Sequence, residues 1–435
     1  MNKTKTKFGK DFIMVIIGQI ISLFGNQILR FALPLYLLDQ TNSPALFGLV
    51  SACAFIPMIL MSPVGGILAD RNNKRNIMVI LDFSTSALIL VFTILLGRVD
   101  LVVLLMITMM ILYGIQGTYQ PAVQASIPAL VDTDNIMAAN AAVNLVASFS
   151  GLIGPVAGAA LYAKFGIRPV LFVGIGCFFA SAVMEIFIKI PFKKQQSSGS
   201  ILNTVVSDMK DSFRYMINDQ PKVWKVCLIV AAINMFMSAL IIIGLPVIVT
   251  KTLDFSEETG KLLYGYAEGA LALGSLAGGI LAGVLSRKLN ADKSYTLLYL
   301  CTLTFVPIAV VLALNVPAIV TYAVIVVCCF FMLLAATLFS IQMVAYLQML
   351  SPSHLVGKII AVAMSIGMCA TPLGQALYGA LFEGLKENIY IIFIGVSVVG
   401  IVISFISKFV FKGMNKLLEE CTIKITEENQ EKKCG

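Results

Sequence analysis

Twelve apolar runs, most of them about 20 residues or longer, dominate this chain of 435 residues: 11–38, 45–69, 76–97, 101–130, 138–163, 168–190, 223–250, 261–286, 294–314, 317–348, 356–384 and 388–411. A helix needs about 20 apolar residues to cross the hydrocarbon core of a bilayer. No water reaches backbone groups there, so each run must close its own hydrogen bonds as a helix. The composition leaves lipid as the natural solvent, with 59% of residues hydrophobic and 12% charged, against about 45–50% and 25% in soluble domains. The expected fold is an all-α membrane protein with twelve transmembrane helices. The nine cysteines form no C-x-x-C pair and read as small buried hydrophobes. His354 is the single histidine, and no metal site is expected. The N-terminal lysines precede a long apolar run without a small-residue cleavage site, which reads as the first span and not as a signal peptide.

The one long polar stretch, 191–222, divides the spans six and six. Within it Ile201, Val205, Met209 and Phe213 recur at helical spacing, which predicts an amphipathic helix on the membrane surface. The expected domains are an N-terminal half (1–190), this linker (191–222), a C-terminal half (223–411) and a tail (412–435). With both termini cytoplasmic, inner segments carry 24 of the 31 Lys and Arg residues and outer loops carry six. That asymmetry follows the positive-inside rule.

The halves repeat. Gly65-Gly66-Ile67-Leu68-Ala69 returns as Gly278-Gly279-Ile280-Leu281-Ala282, and Pro155 with Gly158 returns as Pro372 with Gly374. After the first copy come Asp70, Arg71, Lys74 and Arg75, a tight charged turn between two apolar runs. The stretch Gly66-Ile67-Leu68-Ala69-Asp70-Arg71-Asn72-Asn73-Lys74-Arg75 resembles the loop signature of the major facilitator superfamily, G-x-L-A-D-R-x-x-[KR]-[KR]. The resemblance implies two pseudo-symmetric six-helix halves with a substrate site between them. It also implies that Asp70 pairs with Arg71, Arg75 and the start of helix 11 as a gate. Gly65 and Gly66 are expected to let helix 2 approach a neighbour closely. The second copy has Gly283 in place of the acid. An ordinary cation-rich loop would share most of these residues.

Ser150-Gly151-Leu152-Ile153-Gly154-Pro155-Val156-Ala157-Gly158-Ala159 resembles the antiporter signature G-x-x-x-G-P-x-x-G-G, with Ser150 and Ala159 in place of glycines. Pro155 removes one helix hydrogen bond, and Gly154 and Gly158 sit one turn apart, allowing close contact and a hinge. The resemblance implies export. The helix 4 arginine of many proton-coupled exporters is replaced by Leu112, aligned on Pro121-Ala122.

A charge inside a bilayer is expensive and usually functional. Four charges inside spans are candidates for ion coupling: Arg30 and Glu268, at comparable depth in opposite halves, as a pair or separately, and Asp82 and Glu185, near span ends, where snorkelling or pairing with loop cations is the alternative. The superfamily's cavity is lined by helices 1, 4, 7 and 10. Candidates there are Gln19 and Asn26 on helix 1; Tyr113, Gln116, Tyr119 and Gln120 on helix 4; Asn234 and Phe236 on helix 7; and Phe339 and Tyr346 on helix 10. The same residue types serve interhelical hydrogen bonds. Such a cavity suits a bulky hydrophobic or amphipathic molecule.

Across most of its length the chain resembles the bacterial macrolide-efflux and enterobactin-exporter group, through Gly18-Gln19, Ser22, Ala32-Leu33-Pro34, Thr41-Asn42-Ser43 and Gln120-Pro121-Ala122. The expected protein is a monomeric exporter of the bacterial cell membrane working by alternating access, with proton antiport. Its partners are a small-molecule substrate, protons and the bilayer. An uncoupled facilitator or lipid flippase of the same fold is the alternative. No Gly-Lys pair is followed by Ser or Thr, so no phosphate loop supports an ATP-driven pump. No cofactor, nucleic acid or enzymatic activity is expected.

Overall fold

A computed structural model describes residues 9–132, 135–191, 210, 213–285, 290–351 and 356–417. These form twelve helices long and apolar enough to cross a membrane, and no strand occurs among the described residues. They are α1 (Lys10–Thr41), α2 (Pro44–Arg71), α3 (Lys74–Leu95), α4 (Leu101–Leu130), α5 (Ile136–Phe165) and α6 (Ile167–Ile186). After the linker come α7 (Pro221–Thr252), α8 (Glu257–Leu285), α9 (Ala291–Ala313), α10 (Ala318–Leu350), α11 (Val356–Gly384) and α12 (Tyr390–Phe411). The chain is a multi-pass membrane protein. The amphipathic segment expected from 201 to 213 lies largely outside the described residues.

Local sequence sets the turns. Ser43 accepts the Leu46 amide at 3.2 Å ahead of Pro44, the first residue of α2, as helix starts favour. Asn73 and Asp100 cap α3 and α4 in the same way. One residue, Gly166 at φ 76°, links α5 to α6, a conformation that glycine adopts without strain. Helix α7 departs from regular geometry twice, at π-turns over Asn234–Ser238 and Ile248–Thr252.

The described residues form two compact units. The first holds α1–α6 and Leu245–Gly269, the end of α7 with the start of α8; the second holds the remainder of α7 and α8 and the later helices. In the first, α2 packs most extensively on α4. The repeated Gly-Gly pair explains the contact. A Cβ on Gly65 would lie 2.6 Å from Thr118 Cα, and one on Gly278 would lie 2.5 Å from the Leu334 carbonyl of α10 in the second unit. The second glycine of each pair, Gly66 or Gly279, has nothing within 4 Å. Within the first pair close approach therefore belongs to Gly65, matched from α4 by Gly117, where a Cβ would lie 2.7 Å from the Met58 carbonyl, and the expectation for Gly66 is corrected. Large apolar side chains such as Leu60, Phe179 and Phe405 remain exposed, as a lipid-facing surface allows.

Candidate functional site

The polar residues of the first unit gather in three places. The first joins α1, α3, α4 and α6. Gln19 Nε2 donates to Tyr119 OH at 2.9 Å, and Tyr119 OH donates to Glu185 Oε1 at 2.8 Å. Ser22 Oγ donates to Asp82 Oδ1 at 3.1 Å, and Ser181 Oγ donates to the Gly18 carbonyl at 3.1 Å. Asp82 is 2% exposed and Glu185 0%. Among the described residues neither forms an ion pair, and their burial corrects the expectation that they snorkel to the membrane surface. Burying an ionised carboxyl costs several kcal/mol. Interhelical hydrogen bonds return only about 0.6 kcal/mol on average. Two such groups are held there at a cost unless they are neutralised. Asn26 and Gln120 line a cavity of about 20 Å³ beside Asp82.

The second place lies around Arg30. Its guanidinium stands 4.6 Å over the Tyr113 ring and donates to Gln116 Oε1 at 3.3 Å. Phe55 meets Tyr113 edge-on at 5.2 Å. Glu268, on α8, faces Tyr264 one turn earlier and lies within electrostatic reach of Arg30 without a direct ion pair. Tyr264 stacks on Phe31 at 4.7 Å. Leu112, where an arginine was expected by resemblance, is buried one residue before Tyr113. A cation thus reaches the same stretch of α4, delivered by α1.

The third place was not legible in the sequence. Asp39, near the end of α1, receives Lys261 Nζ at 2.8 Å and Lys251 Nζ at 3.2 Å. Tyr162 OH donates to its Oδ2 at 2.8 Å. Lys251 also donates to Asn42 at 2.8 Å, and Lys261 lies 4.4 Å over the Tyr162 ring. The Asp39 side chain is 5% exposed and that of Lys261 10%. Spacing alone offered no signal, because both lysines read as ordinary loop cations.

The glycine-proline stretch of α5 packs on two sides. A Cβ on Gly154 would collide with Gln27 of α1, and one on Gly158 would lie 3.4 Å from the Ile28 backbone. On the other side Gly265 of α8 faces Ala159 and the Pro155 carbonyl. The glycine that the motif lacks at 159 is supplied by the facing helix. Ser150 is buried. In the charged turn, Arg75 donates to Asn76 Oδ1 at 3.2 Å and to the Ile186 carbonyl at 3.4 Å. Arg71 ends α2. The side chains of Asp70 and of residues 356–358 at the start of α11 lie outside the described set, so the expected gate contact falls there.

The second unit holds a cavity of about 470 Å³. Its wall is largely apolar, with Phe339, Leu333, Met343 and Met364, and carries Asn234, Ser238, Ser275 and Ser340 as polar points. Ser238 donates to Asn234 Oδ1 at 3.3 Å within the π-turn. Gly367 of α11 sits where a Cβ would lie 3.0 Å from Asn234 Nδ2. Phe236 and Tyr346 were expected at the cavity but do not line it. The Phe236 carbonyl accepts the Tyr378 hydroxyl at 2.6 Å, and Tyr346 packs into the core with its hydroxyl 3.4 Å from Ser294.

A family model described as Major Facilitator Superfamily matches residues 15–375. The chain is 25% identical over 395 residues to macrolide efflux protein A of Streptococcus pyogenes, covering 90% of this chain and 94% of that protein. It is 23% identical over 327 residues to macrolide efflux protein A of Enterococcus faecalis, covering 75% and 97%. Among solved structures, a bacterial homolog of the human lysosomal transporter Spinster, inward-facing and unoccupied, matches with TM-score 0.73 at 12% identity over 95% of this chain and 99% of that one.

Proposed function

The chain belongs to the Major Facilitator Superfamily of membrane transporters, which move small molecules, and on that premise we propose that it exports bulky hydrophobic or amphipathic compounds of the macrolide kind in exchange for protons. The observation that carries the reading is the cavity of about 470 Å³ in the second unit. Its volume falls within the 300–1,000 Å³ of small-molecule sites, and such sites are apolar with a few placed polar groups. Asn234 and Ser340 orient a ligand by hydrogen bonds while Phe339 and the methionines cover its apolar faces.

In this reading Glu268 carries the proton and Arg30 responds to its charge. Discharging Glu268 frees the guanidinium to hold Gln116 and Tyr113 more tightly, which changes the packing of α1 on α4. The glycine contacts of α5 with α1 and α8 supply the surfaces that slide, and the helix 5 signature supports export as the direction. The halves 1–190 and 223–411 are the parts that alternate access, with 191–222 joining them. Both termini face the cytoplasm of a bacterial cell, a placement supported by the distribution of lysine and arginine.

The test is efflux of a macrolide panel from proteoliposomes with and without an imposed pH gradient. Gradient-driven efflux is expected in the native protein and at least about tenfold less in Glu268→Gln, the change produced by about 1.4 kcal/mol of lost coupling. Efflux that ignores the gradient would favour the uncoupled facilitator, and full activity in Glu268→Gln would remove that residue from the mechanism.

A further inference from the structure

The cluster around Asp82 and Glu185 has an imbalance that proton exchange at Glu268 does not use. Four buried side-chain atoms there have no hydrogen-bond partner: Asp82 Oδ2, Glu185 Oε2, Gln19 Oε1 and Asn26 Oδ1. All four are oxygens, and all four are acceptors. The Tyr119 proton goes to Glu185 and the Ser22 proton to Asp82, while Ser181 donates to the Gly18 carbonyl. Ser181 also stands within hydrogen-bond reach of Asp82, and the second N–H of the Gln19 amide and the N–H groups of Asn26 are the remaining side-chain donors. Gln19 is 0% exposed and Asn26 7%. The groups facing the carboxyls come from α1 (Gln19, Ser22), α4 (Tyr119) and α6 (Ser181), and none is a cation. Arg75, at the exposed start of α3, spends a donor on the carbonyl of Ile186, next to Glu185 in the chain.

Unpartnered acceptors around two acids call for positive charge. A proton on either carboxyl satisfies one acceptor and cancels one charge. A divalent cation cancels both and takes neutral oxygens as further ligands. The donor set contains oxygen alone, which selects hard cations over zinc or copper. Calcium accepts six to eight oxygens in flexible geometry, including amide carbonyls. The cavity between Asn26, Ser22 and Asp82 measures about 20 Å³, room for one water-sized body. No group of three or more His, Cys, Asp or Glu that could hold a metal occurs among the described residues, so the neutral amide and hydroxyl oxygens carry the rest of the coordination. Gly18 lets α1 approach this point: a Cβ there would lie 3.5 Å from Ser181 Oγ and 3.8 Å from Glu185 Oε1.

We propose that this cluster is a binding site for a hard divalent cation of the calcium class, ligated by Asp82 and Glu185 with the amide oxygens of Gln19 and Asn26. The site ties α1, α3 and α6 of the first unit together, and its cavity is bounded on the α4 side by Gln116, the partner of Arg30. It replaces the expectation, drawn from the lone histidine, that the chain holds no metal.

The experiment is equilibrium binding of radioactive Ca²⁺ to the purified, chelator-stripped full chain in detergent, with thermal unfolding as a second readout. One Ca²⁺ per chain is expected, with a saturable rise in Tm. Asp82→Asn and Glu185→Gln are each expected to weaken binding at least about tenfold, whereas Glu268→Gln leaves it unchanged. Should either variant fail to fold, Asn26→Leu removes one neutral ligand and is expected to weaken binding several-fold. Three results overturn the proposal: no Ca²⁺ bound at millimolar concentration, binding untouched by all three cluster variants, or proton uptake that depends on Asp82 and Glu185 with no cation bound. Binding is read without transport, so neither export nor its direction affects the result.

Discussion

The two units divide the chemistry between them. The first buries charge, with Asp82, Glu185, Lys261 and the side chain of Asp39 out of solvent, and its cavity of about 20 Å³ has room for one water-sized body. The second, among its described residues, buries no Asp, Glu, Lys or Arg, and opens a cavity more than twenty times larger. Both are built on the same repeat, with Gly65 and Gly278 each seating one helix against another. Duplication thus preserved the packing surfaces and left the interiors free to diverge. Ions suit a unit with small, oxygen-lined gaps, and a bulky apolar molecule suits a unit whose void carries few polar points.

Three sets of substitutions test how far that division holds. The largest effect is expected from carrying charge across it. Ala336→Asp places a carboxylate in the wall of the large cavity, near the middle of α10. An acid there costs about 2.5–3.5 kcal/mol, and macrolide binding to the purified protein should fall at least about tenfold. Unchanged affinity would mean that the substrate binds elsewhere. Next comes Asp39→Asn in the first unit, which leaves Lys261 with Glu257 as its remaining acid, 77% exposed. Breaking a buried pair costs about 3 kcal/mol, to be read as a lower midpoint in denaturant, while Glu257→Gln should stay within about 0.5 kcal/mol. Equal effects of the two would deny Asp39 its central place. The smallest effects compare the repeated glycines. Gly65→Ala and Gly278→Ala should each destabilise by about 1–3 kcal/mol through overpacking, whereas Gly66→Ala and Gly279→Ala should fall within about 0.5 kcal/mol. A cost at Gly66 matching that at Gly65 would undo the reading of the repeat as a one-glycine contact.

The fold was legible because its signal is long: twelve runs of apolar residues, read against the thickness of a bilayer, need no tertiary knowledge. Helical spacing also placed Gln19, Ser22 and Asn26 on one face. What spacing could not say is which neighbour that face meets. Asp82 and Glu185 lie near span ends, where snorkelling is a fair expectation, yet Tyr119 and Ser22 hold them inside. Ser181, one turn before Glu185, was a readable hint of a polar face. Asp39 was invisible for a different reason, since its two lysine partners lie more than 200 residues away and read as ordinary loop cations. On α7, Phe236 was expected at the cavity as an aromatic face, but it falls inside the π-turn at 234–238 and does not line the cavity there.

That π-turn bears on how the chain tolerates insertion and deletion. A π-turn accommodates one extra residue inside an otherwise regular helix. Removing a single residue between Asn234 and Ser238 would therefore restore plain α-helix and keep the span continuous. It would also turn everything beyond it on α7 by about 100°, one residue's share of a 3.6-residue turn. The π-turn thus acts as a phase setting, fixing which side of α7 faces inward while its apolar composition is left untouched.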